Sequence, residues 1–439
     1  MLEDNLIYLL FIVMILLTTI NVLIFEMDFM QPSILFNGTM LVSMLFAVLN
    51  VNEYRLYIEG YTFCVVTLGM FSFMVGNYYV CFQNKDILYE LQKHNTIIKH
   101  KYFKIGIISM VMAMLLYFNF KEIYELSISL GNVSGISNVI KTVRYPLERE
   151  EVTFSRWFNY NTLIAQMISY VSLYYFFRSF ICDKKTNWVY ILPSIMYIPF
   201  TILTTGRFDL LCLIVYGVVL FSIMYLKREV YSIKSKRKVL IYLLGSACLF
   251  ILLFLSYGSF TGKVVSATRT PFVILSHYIG LSIPALDIFL QMPVIEDTLI
   301  GNYTLSGIYG NLRTLGFDVS KVDVFLPFVK FNVLDTNVYT AFRRYMSDYG
   351  VVGMCCILFI FGSLFSIVYE KIKSGNGKML LILYASYAWS LVMSFHDEKF
   401  LMGMLNTSLV YRVVVLYLVI KFFEYNHKIK NSPTIDDGE

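Results

Sequence analysis

The chain has 439 residues, of which 57% are apolar and 15% are charged. Because soluble domains usually carry about 25% charged residues, this composition excludes an ordinary soluble protein and predicts a membrane protein. The net charge of +6 does not indicate nucleic-acid binding, since the basic residues lie at the ends of apolar runs, where membrane orientation explains them.

Eleven apolar runs follow one another along the chain. Hydrocarbon about 30 Å thick is crossed by roughly 20 residues of α-helix, which matches the runs in length. They lack the alternation of barrel strands, so we predict an all-α polytopic protein with about eleven transmembrane helices. The first run lacks the basic start and cleavage site of a secretory signal, and we expect a retained anchor. The runs cover residues 6–25, 33–50, 60–82, 103–119, 160–182, 188–204, 209–226, 238–257, 349–369, 378–395 and 404–423.

Basic residues alternate from one connection to the next. Five connections hold 20 of the 36 Lys and Arg residues, and they cover residues 85–104, 178–185, 227–238, 371–378 and 421–430. The short connections on the opposite side contain only Arg55, Arg207 and Lys399. The positive-inside rule therefore predicts a cytoplasmic C-terminus and an N-terminus outside.

Two long outer loops result, over residues 120–159 and 258–348. Long loops usually carry function, and we expect short helices in the larger one. Its apolar stretch 272–291 contains His277 and Asp287, which are costly in lipid, so it is interpreted as a re-entrant or surface helix. We predict a single membrane domain over residues 1–430 and a polar cytoplasmic tail over 431–439.

Arginines on the outer side are candidates for binding an anion. Arg207 lies in a tight turn between two apolar runs, and its planar fork can hold two phosphate oxygens. The alternative is that Arg207 reaches lipid headgroups while Asp209 caps the next helix. Arg269 lies in the larger loop and is followed ten residues later by Gly280.

Arg343 and Arg344 directly precede the ninth run. Asp335 or Thr336 is expected to cap a short helix that directs one arginine along the membrane surface. Alternatively the arginines contact lipid phosphate, and Arg344 pairs with Asp348 four residues on. The residues expected to share a face of that helix are Tyr339, Phe342, Arg343 and Met346.

A polar turn over residues 394–399 is the candidate for a general base. It contains His396 and Glu398, and an imidazole or a carboxylate of raised pKa can accept a hydroxyl proton near neutral pH. The alternative is a solvated turn with internal ion pairs. Among the aromatic residues of the outer loops, Trp157, Tyr309 and Tyr339 are candidates for stacking against sugar rings.

Other kinds of chemistry lack support. All seven cysteines lie in apolar runs, so the loops contain no disulfide or zinc spacing, and we predict no metal and no cofactor. The outer loops contain none of the motifs of nucleotide binding, zinc proteases or serine hydrolases.

The pattern resembles the Wzy-type polysaccharide polymerases, which join oligosaccharide repeat units of bacterial envelopes. The resemblance is carried by the runs with one large late outer loop, the turn 204–207, the block 337–353, and the ten-residue spacing between Arg269 and Gly280. It implies a bacterial inner-membrane glycosyltransferase whose substrate is an oligosaccharide on undecaprenyl diphosphate at the periplasmic face. The growing glycan is transferred to an incoming lipid-linked unit, without metal and with inversion.

Under this resemblance, the arginines neutralise the departing diphosphate and the polar turn supplies the base. The diphosphate candidates are Arg207, Arg269, Arg343 and Arg344, and the catalytic candidates are Arg207, His396 and Glu398. Membrane lipids, a chain-length regulator and a flippase are the implied partners. Two other functions stay open. One is an O-antigen ligase, which would use the same arginines. The other is a lipid-linked oligosaccharide flippase, which is disfavoured because no internal repeat is visible and the helix centres are nearly uncharged.

Overall fold

Helices form most of the described chain. The structure, a computed structural model, describes residues 3–83, 101–131, 138–149, 151–182, 186–206, 208–260, 271–292, 300–319, 325–332, 335–375, 377–404 and 406–425. The helices are α1 Glu3–Ile24, α2 Pro32–Leu49, α3 Val51–Tyr54, α4 Gly60–Gln83, α5 Lys101–Ser129, α6 Val139–Glu148, α7 Arg156–Ile181, α8 Leu192–Leu203, α9 Phe208–Arg228, α10 Ile233–Phe260, α11 Pro271–Gly280, α12 Ser282–Leu290, α13 Ser306–Thr314, α14 Phe342–Lys373, α15 Lys378–Val392, α16 Leu401–Met404 and α17 Thr407–Glu424. Short 3-10 helices at Trp188–Ile191 and Met393–Phe395 and two strands, β1 Val329–Lys330 and β2 Asp335–Thr336, complete the described elements.

The predicted all-α membrane architecture is confirmed at this level. Each of the eleven apolar runs falls in a helix of the structure. Within the described ranges, seven helices are long and apolar enough to cross a membrane. The number of crossings and their direction stay predictions. The seven spans are Leu6–Ile24, Pro32–Leu49, Gly60–Gln83, Lys101–Ser129, Phe208–Arg228, Phe342–Lys373 and Lys378–Phe395.

Small residues bring α4 and α14 into close contact. A Cβ atom added at Gly76 would lie 2.1 Å from the carbonyl oxygen of Phe359, and one at Gly362 would lie 2.2 Å from that of Phe73. Only glycine therefore permits this approach, as at many helix–helix contacts in membranes. The packing fixes α14, the helix that begins with the two candidate arginines.

Gly350 divides α14 into two parts. Its φ of 64° and ψ of −171° interrupt the helix, and a positive φ of this kind is readily adopted only by glycine. The arginines lie in the first part, Phe342 to Tyr349, and the membrane-crossing stretch follows the kink. The helix that contains the ninth apolar run therefore begins at Phe342, before the run itself begins at residue 349.

The expected short helix capped by Asp335 or Thr336 is not found. Those two residues form β2, which pairs antiparallel with β1. The hydroxyl of Thr336 accepts a hydrogen bond from the Val338 amide at 3.1 Å, which stabilises a turn. The helix begins only at Phe342, so the expectation was wrong because the side-chain cap is used in a turn instead.

The apolar stretch 272–291 is broken into α11 and α12, and both pack against α2. The hydroxyl of Ser43 on α2 donates to the carbonyl of Ile279 at 2.6 Å and lies 2.9 Å from the Ser282 hydroxyl. Asp287 is buried and accepts a hydrogen bond from the Glu59 amide at 2.8 Å. The stretch is therefore packed into the bundle rather than lying free on its surface.

The bundle has two ends that differ in chemistry. One, here the Lys373 end, contains the start of α10, the end of α14 and the connection between α1 and α2. There Lys373 contacts Glu370 at 3.0 Å, and Tyr369 donates to Asp28 at 2.9 Å. Gln31 donates to Glu370 at 3.2 Å, so a buried polar network joins α14 to the connection between α1 and α2.

The opposite end, here the His396 end, contains the start of α14 and the segment after α15. It also contains the starts of α9 and α17. Phe208 at the start of α9 packs edge-on against Trp389 near the end of α15, with ring centroids 4.9 Å apart. The described candidate site residues Arg343, Arg344, His396, Glu398 and Tyr339 lie at this end.

Candidate functional site

The turn after α15 is built around a buried carboxylate. One oxygen of Glu398 accepts hydrogen bonds from the amides of Phe400 at 2.6 Å and Leu401 at 2.7 Å, and the other accepts from Met402 at 3.0 Å. The Tyr345 hydroxyl also donates to the first of these oxygens, at 2.9 Å. Burial raises the pKa of Glu398, against these hydrogen bonds. Glu398 therefore caps α16 and holds the turn to α14.

Arg344 is bound to the same turn by Asp397. Its Nε contacts one carboxylate oxygen at 2.7 Å and its Nη2 the other at 3.2 Å, which is the two-pronged geometry of a strong ion pair. Lys399 contacts Asp397 at 2.9 Å. Burial acts to raise the pKa of Asp397, but Lys399 and Arg344 outweigh it and hold that pKa well below its usual range. Asp397 takes the role that the sequence analysis considered for Asp348.

Arg343 lies beside this pair and has a different environment. Its guanidinium carbon lies 4.0 Å from the ring centroid of Tyr339 and 4.5 Å from that of Phe289, so the cation is stabilised by two aromatic faces. Its side chain is 6% exposed, yet Nε and Nη1 have no hydrogen-bond partner among the described residues. Arg343 thus presents buried, uncommitted donors.

His396 is held between the ion pair and the bundle. Its Nδ1 is buried and without a hydrogen-bond partner in the described part of the chain. Burial lowers the pKa of His396 to about 4, with Asp397 opposing this shift and Lys399 adding to it. The imidazole is therefore neutral near physiological pH, and in this environment it is a weaker base than an exposed histidine.

A segment of the large loop is attached to the start of α14. Asp348 accepts hydrogen bonds from the amides of Tyr303 at 3.1 Å and Thr304 at 2.8 Å and from the Thr304 hydroxyl at 2.7 Å. The Thr304 and Tyr349 hydroxyls lie 2.8 Å apart. Tyr303 lies within electrostatic range of Arg343, which places this attachment beside the arginine. The role of Thr304 could not be predicted from the sequence, because no local pattern links it to Asp348 and Tyr349, which lie 44 and 45 positions away.

The aromatic candidates occupy different places. Tyr339 is fully buried and its hydroxyl donates to the Pro327 carbonyl at 2.8 Å, so its ring supports Arg343. Tyr309 on α13 hydrogen-bonds the Ile300 carbonyl and acts electrostatically on Tyr349, which places it near the site. Trp157 is 76% exposed at the start of α7 and packs edge-on against Tyr160, apart from the arginines.

Two of the diphosphate candidates, Arg207 and Arg269, lie outside the described residues. The structure describes Thr205 beside the first, with a left-handed φ of 57°. Gly280 packs against α2, where an added Cβ would lie 2.8 Å from the Phe46 backbone. Close packing against α2 therefore explains why position 280 is a glycine. Within the described ranges, no group of three or more His, Cys, Asp or Glu residues is placed to hold a metal ion.

The chain is similar to a curated O-antigen polymerase of Shigella dysenteriae. The two are 24% identical over 248 residues, which are 55% of this chain and 59% of that protein. The chain thus spans about three fifths of the length of that relative. No protein-family model matches the chain, and no solved structure does. The relative supports the resemblance to Wzy-type polymerases that the sequence analysis drew from residues.

Proposed function

We propose that the protein is a glycosyltransferase that polymerises oligosaccharide repeat units carried on undecaprenyl diphosphate. The observation that carries the proposal is the buried Arg343, which presents two uncommitted N–H donors beside the turn that contains His396. A cation with free donors, in electrostatic range of the turn that carries a neutral imidazole, suits the loss of an anionic leaving group together with removal of a hydroxyl proton. The similarity to an O-antigen polymerase supports this chemistry.

The Lys373 end is proposed to face the cytoplasm. Basic residues gather there, and Lys104, Lys227 and Lys236 each donate to a backbone carbonyl at that end. By the positive-inside rule, the His396 end then faces the periplasm, where lipid-linked repeat units are displayed. We propose that the protein lies in the bacterial inner membrane, with residues 1–430 as one membrane domain and residues 431–439 as a cytoplasmic tail.

Arginines bind the diphosphate of the donor in the proposed reaction. Arg343 donates its free N–H groups to phosphate oxygens, and Arg207 and Arg269, which lie outside the described residues, are proposed to bind the same diphosphate. Arg344 is committed to Asp397, so it acts through the ion pair that fixes the His396 turn. These fixed charges stabilise the leaving group without a metal.

His396 is the proposed base. It accepts the proton of the acceptor sugar hydroxyl as that oxygen bonds to the anomeric carbon of the growing glycan and the bond from that carbon to the diphosphate breaks. Attack opposite the leaving group inverts the anomeric centre. Glu398 is the weaker candidate, because its oxygens already accept four hydrogen bonds. Tyr309 and Trp157 are proposed to contact the glycan.

The deciding experiment supplies the purified protein in liposomes with lipid-linked repeat units alone. A ladder of products differing by one repeat unit supports a polymerase. Product formation that requires lipid A core indicates a ligase, and transfer of intact lipid-linked units across the bilayer without new glycosidic bonds indicates a flippase.

Arg207 is tested in the same assay. Arg207→Ala and Arg207→Lys are both expected to abolish the ladder at normal protein abundance, because lysine retains the charge but loses the two-pronged grip. Normal ladders from both variants would remove Arg207 from the mechanism.

A further inference from the structure

An arginine that the sequence analysis did not single out lies within the apolar helix α17. Nη1 of Arg412 donates to the side-chain oxygen of Gln166 on α7 at 2.8 Å. Its Nε is buried and has no partner among the described residues. Ionisable groups inside a membrane bundle are costly and usually functional, so this uncommitted donor requires an explanation.

Two further buried hydroxyls without a described partner lie on helices of the same bundle, within electrostatic range of Arg412. The hydroxyls of Tyr197 on α8 and Tyr387 on α15 are buried and have no partner in the described ranges. The charge of Arg412 acts on both of them. At about 1.5 Å per helical residue, all three side chains lie roughly 7 to 9 Å inside the helix ends at the His396 end. Three helices thus direct unsatisfied polar groups to one depth.

Gln166 is itself held in place. Its amide nitrogen donates to the Tyr170 hydroxyl at 3.3 Å, and the Tyr216 hydroxyl donates to the Tyr170 carbonyl at 2.6 Å. The rings of Tyr170 and Tyr216 stack with centroids 3.9 Å apart. This support orients the amide oxygen towards Arg412, so the guanidinium is positioned by packed side chains rather than by lipid.

The positive charge of Arg412 is not cancelled by a direct ion pair. Asp209 at the start of α9 is its acidic neighbour and interacts with it electrostatically, but it is hydrogen-bonded by Thr204 and forms no ion pair with Arg412 in the described structure. Arg412 therefore retains a charge and an N–H group that a phosphate oxygen can accept.

We infer that Arg412, together with the Tyr197 and Tyr387 hydroxyls, forms a second phosphate-binding position at the His396 end. It binds the diphosphate of the lipid-linked substrate at the depth where the headgroup meets the hydrocarbon. The inference rests on the proposed function, because that function supplies the diphosphate lipid. Arg412 is thereby a substrate-binding residue additional to Arg343.

The test measures binding of farnesyl diphosphate to the purified full-length protein in detergent. Arg412→Gln is expected to weaken binding roughly 10- to 100-fold, the value of a lost charged hydrogen bond. Lys421→Gln is the matched control, because it removes one positive charge from the exposed far end of the same helix. It is expected to leave binding unchanged.

The variants Tyr197→Phe and Tyr387→Phe test the same site without a change that is expected to disturb folding. Each removes a hydroxyl without a described protein partner, so thermal stability should hold while binding weakens severalfold. Unchanged binding in these variants and in Arg412→Gln would overturn the inference and leave Arg412 a structural partner of Gln166. Arg412-dependent binding by a protein that makes no ladder would instead reject the proposed polymerase and retain the binding site.

Discussion

Buried or half-buried cations lie at both ends of the bundle, and their hydrogen bonds differ. At the Lys373 end, Lys227 donates to the Ile372 carbonyl at 2.7 Å and Lys373 contacts Glu370 at 3.0 Å. These lysines neutralise carboxylates or complete the ends of helices, where carbonyl groups would otherwise stay unsatisfied. Their role is accounted for by the fold alone.

At the His396 end, the fold leaves donors unused. Arg343 has two buried N–H groups and Arg412 has one without a partner in the described structure. A buried donor left unsatisfied costs about 1–3 kcal/mol, so this arrangement lowers stability unless a ligand supplies acceptors. The contrast indicates that the Lys373 end stabilises the bundle and the His396 end is prepared for an anion, which is a common trade between stability and function.

The largest expected effect is that of Arg343→Gln on polymerisation. Removing a charged donor that stabilises a leaving group should slow chain extension roughly 100- to 1,000-fold. The variant also loses the contacts of the guanidinium with the Tyr339 and Phe289 rings, so we expect a modest fall in thermal stability and compare rates per folded molecule. Quantified ladders at equal protein abundance measure the effect, with Lys227→Gln at the opposite end as the charge-matched control. A wild-type rate of chain extension in Arg343→Gln would contradict the interpretation that the His396 end binds an anion.

The next effect concerns stability. Asp397→Asn leaves the buried Arg344 without its two-pronged partner, and breaking a buried pair in this way typically costs about 3–5 kcal/mol. We expect a clear fall in the thermal unfolding midpoint in detergent, and loss of polymerisation because the His396 turn is no longer fixed.

The double variant Arg344→Met with Asp397→Leu separates these two losses. Replacing a buried ion pair by apolar side chains often restores stability, so its midpoint should return towards that of the wild type. Polymerisation should stay low, because the apolar pair does not hold His396 in place. An active double variant would show that the ion pair serves stability alone.

A smaller change is expected from Tyr369→Phe at the Lys373 end. It removes the hydroxyl that donates to both oxygens of Asp28, at 2.9 and 3.0 Å. Loss of a hydrogen bond to a charged group should lower the free energy of unfolding by about 2 kcal/mol. The rate per folded molecule should not change. A reduced rate at full stability would show that the Lys373 end takes part in the reaction.

Hydropathy predicted the helices well, because crossing hydrocarbon requires long apolar runs irrespective of their neighbours. It failed where tertiary contacts decide. The kink at Gly350 and the strand at Asp335–Thr336 depend on backbone geometry and pairing that apolar periodicity does not report. The helix over residues 101–129 also extends ten residues beyond the apolar run, since polar residues continue a helix outside the hydrocarbon.

The site was predicted in part. Residue type alone identified Arg343, Arg344 and the 396–398 turn as outer polar groups, and the structure brings them together. Arg344 pairs with Asp397, which is 53 positions away in the sequence. Helical spacing indicates only partners within the same helix, and it therefore suggested Asp348. Arg412 was not predicted as a site residue, because a single charge does not prevent an apolar run from being identified as a helix. A charge within such a run is nevertheless an indication of function.

The last expected effect is the pH dependence contributed by His396. Its folded pKa of about 4 lies below the ordinary value of about 6.5. The unfolded chain therefore binds the proton first, and this residue lowers stability as the pH falls from about 6.5 to about 4. Burial raises the pKa of Glu398, so this residue adds stability as the pH falls, opposite to His396.

Comparing thermal midpoints of the wild type and His396→Asn across this pH range isolates the contribution of the imidazole, because Glu398 is common to both proteins. The wild type should lose more stability on acidification, and parallel curves would show that His396 does not carry the neutral imidazole that the proposed reaction needs.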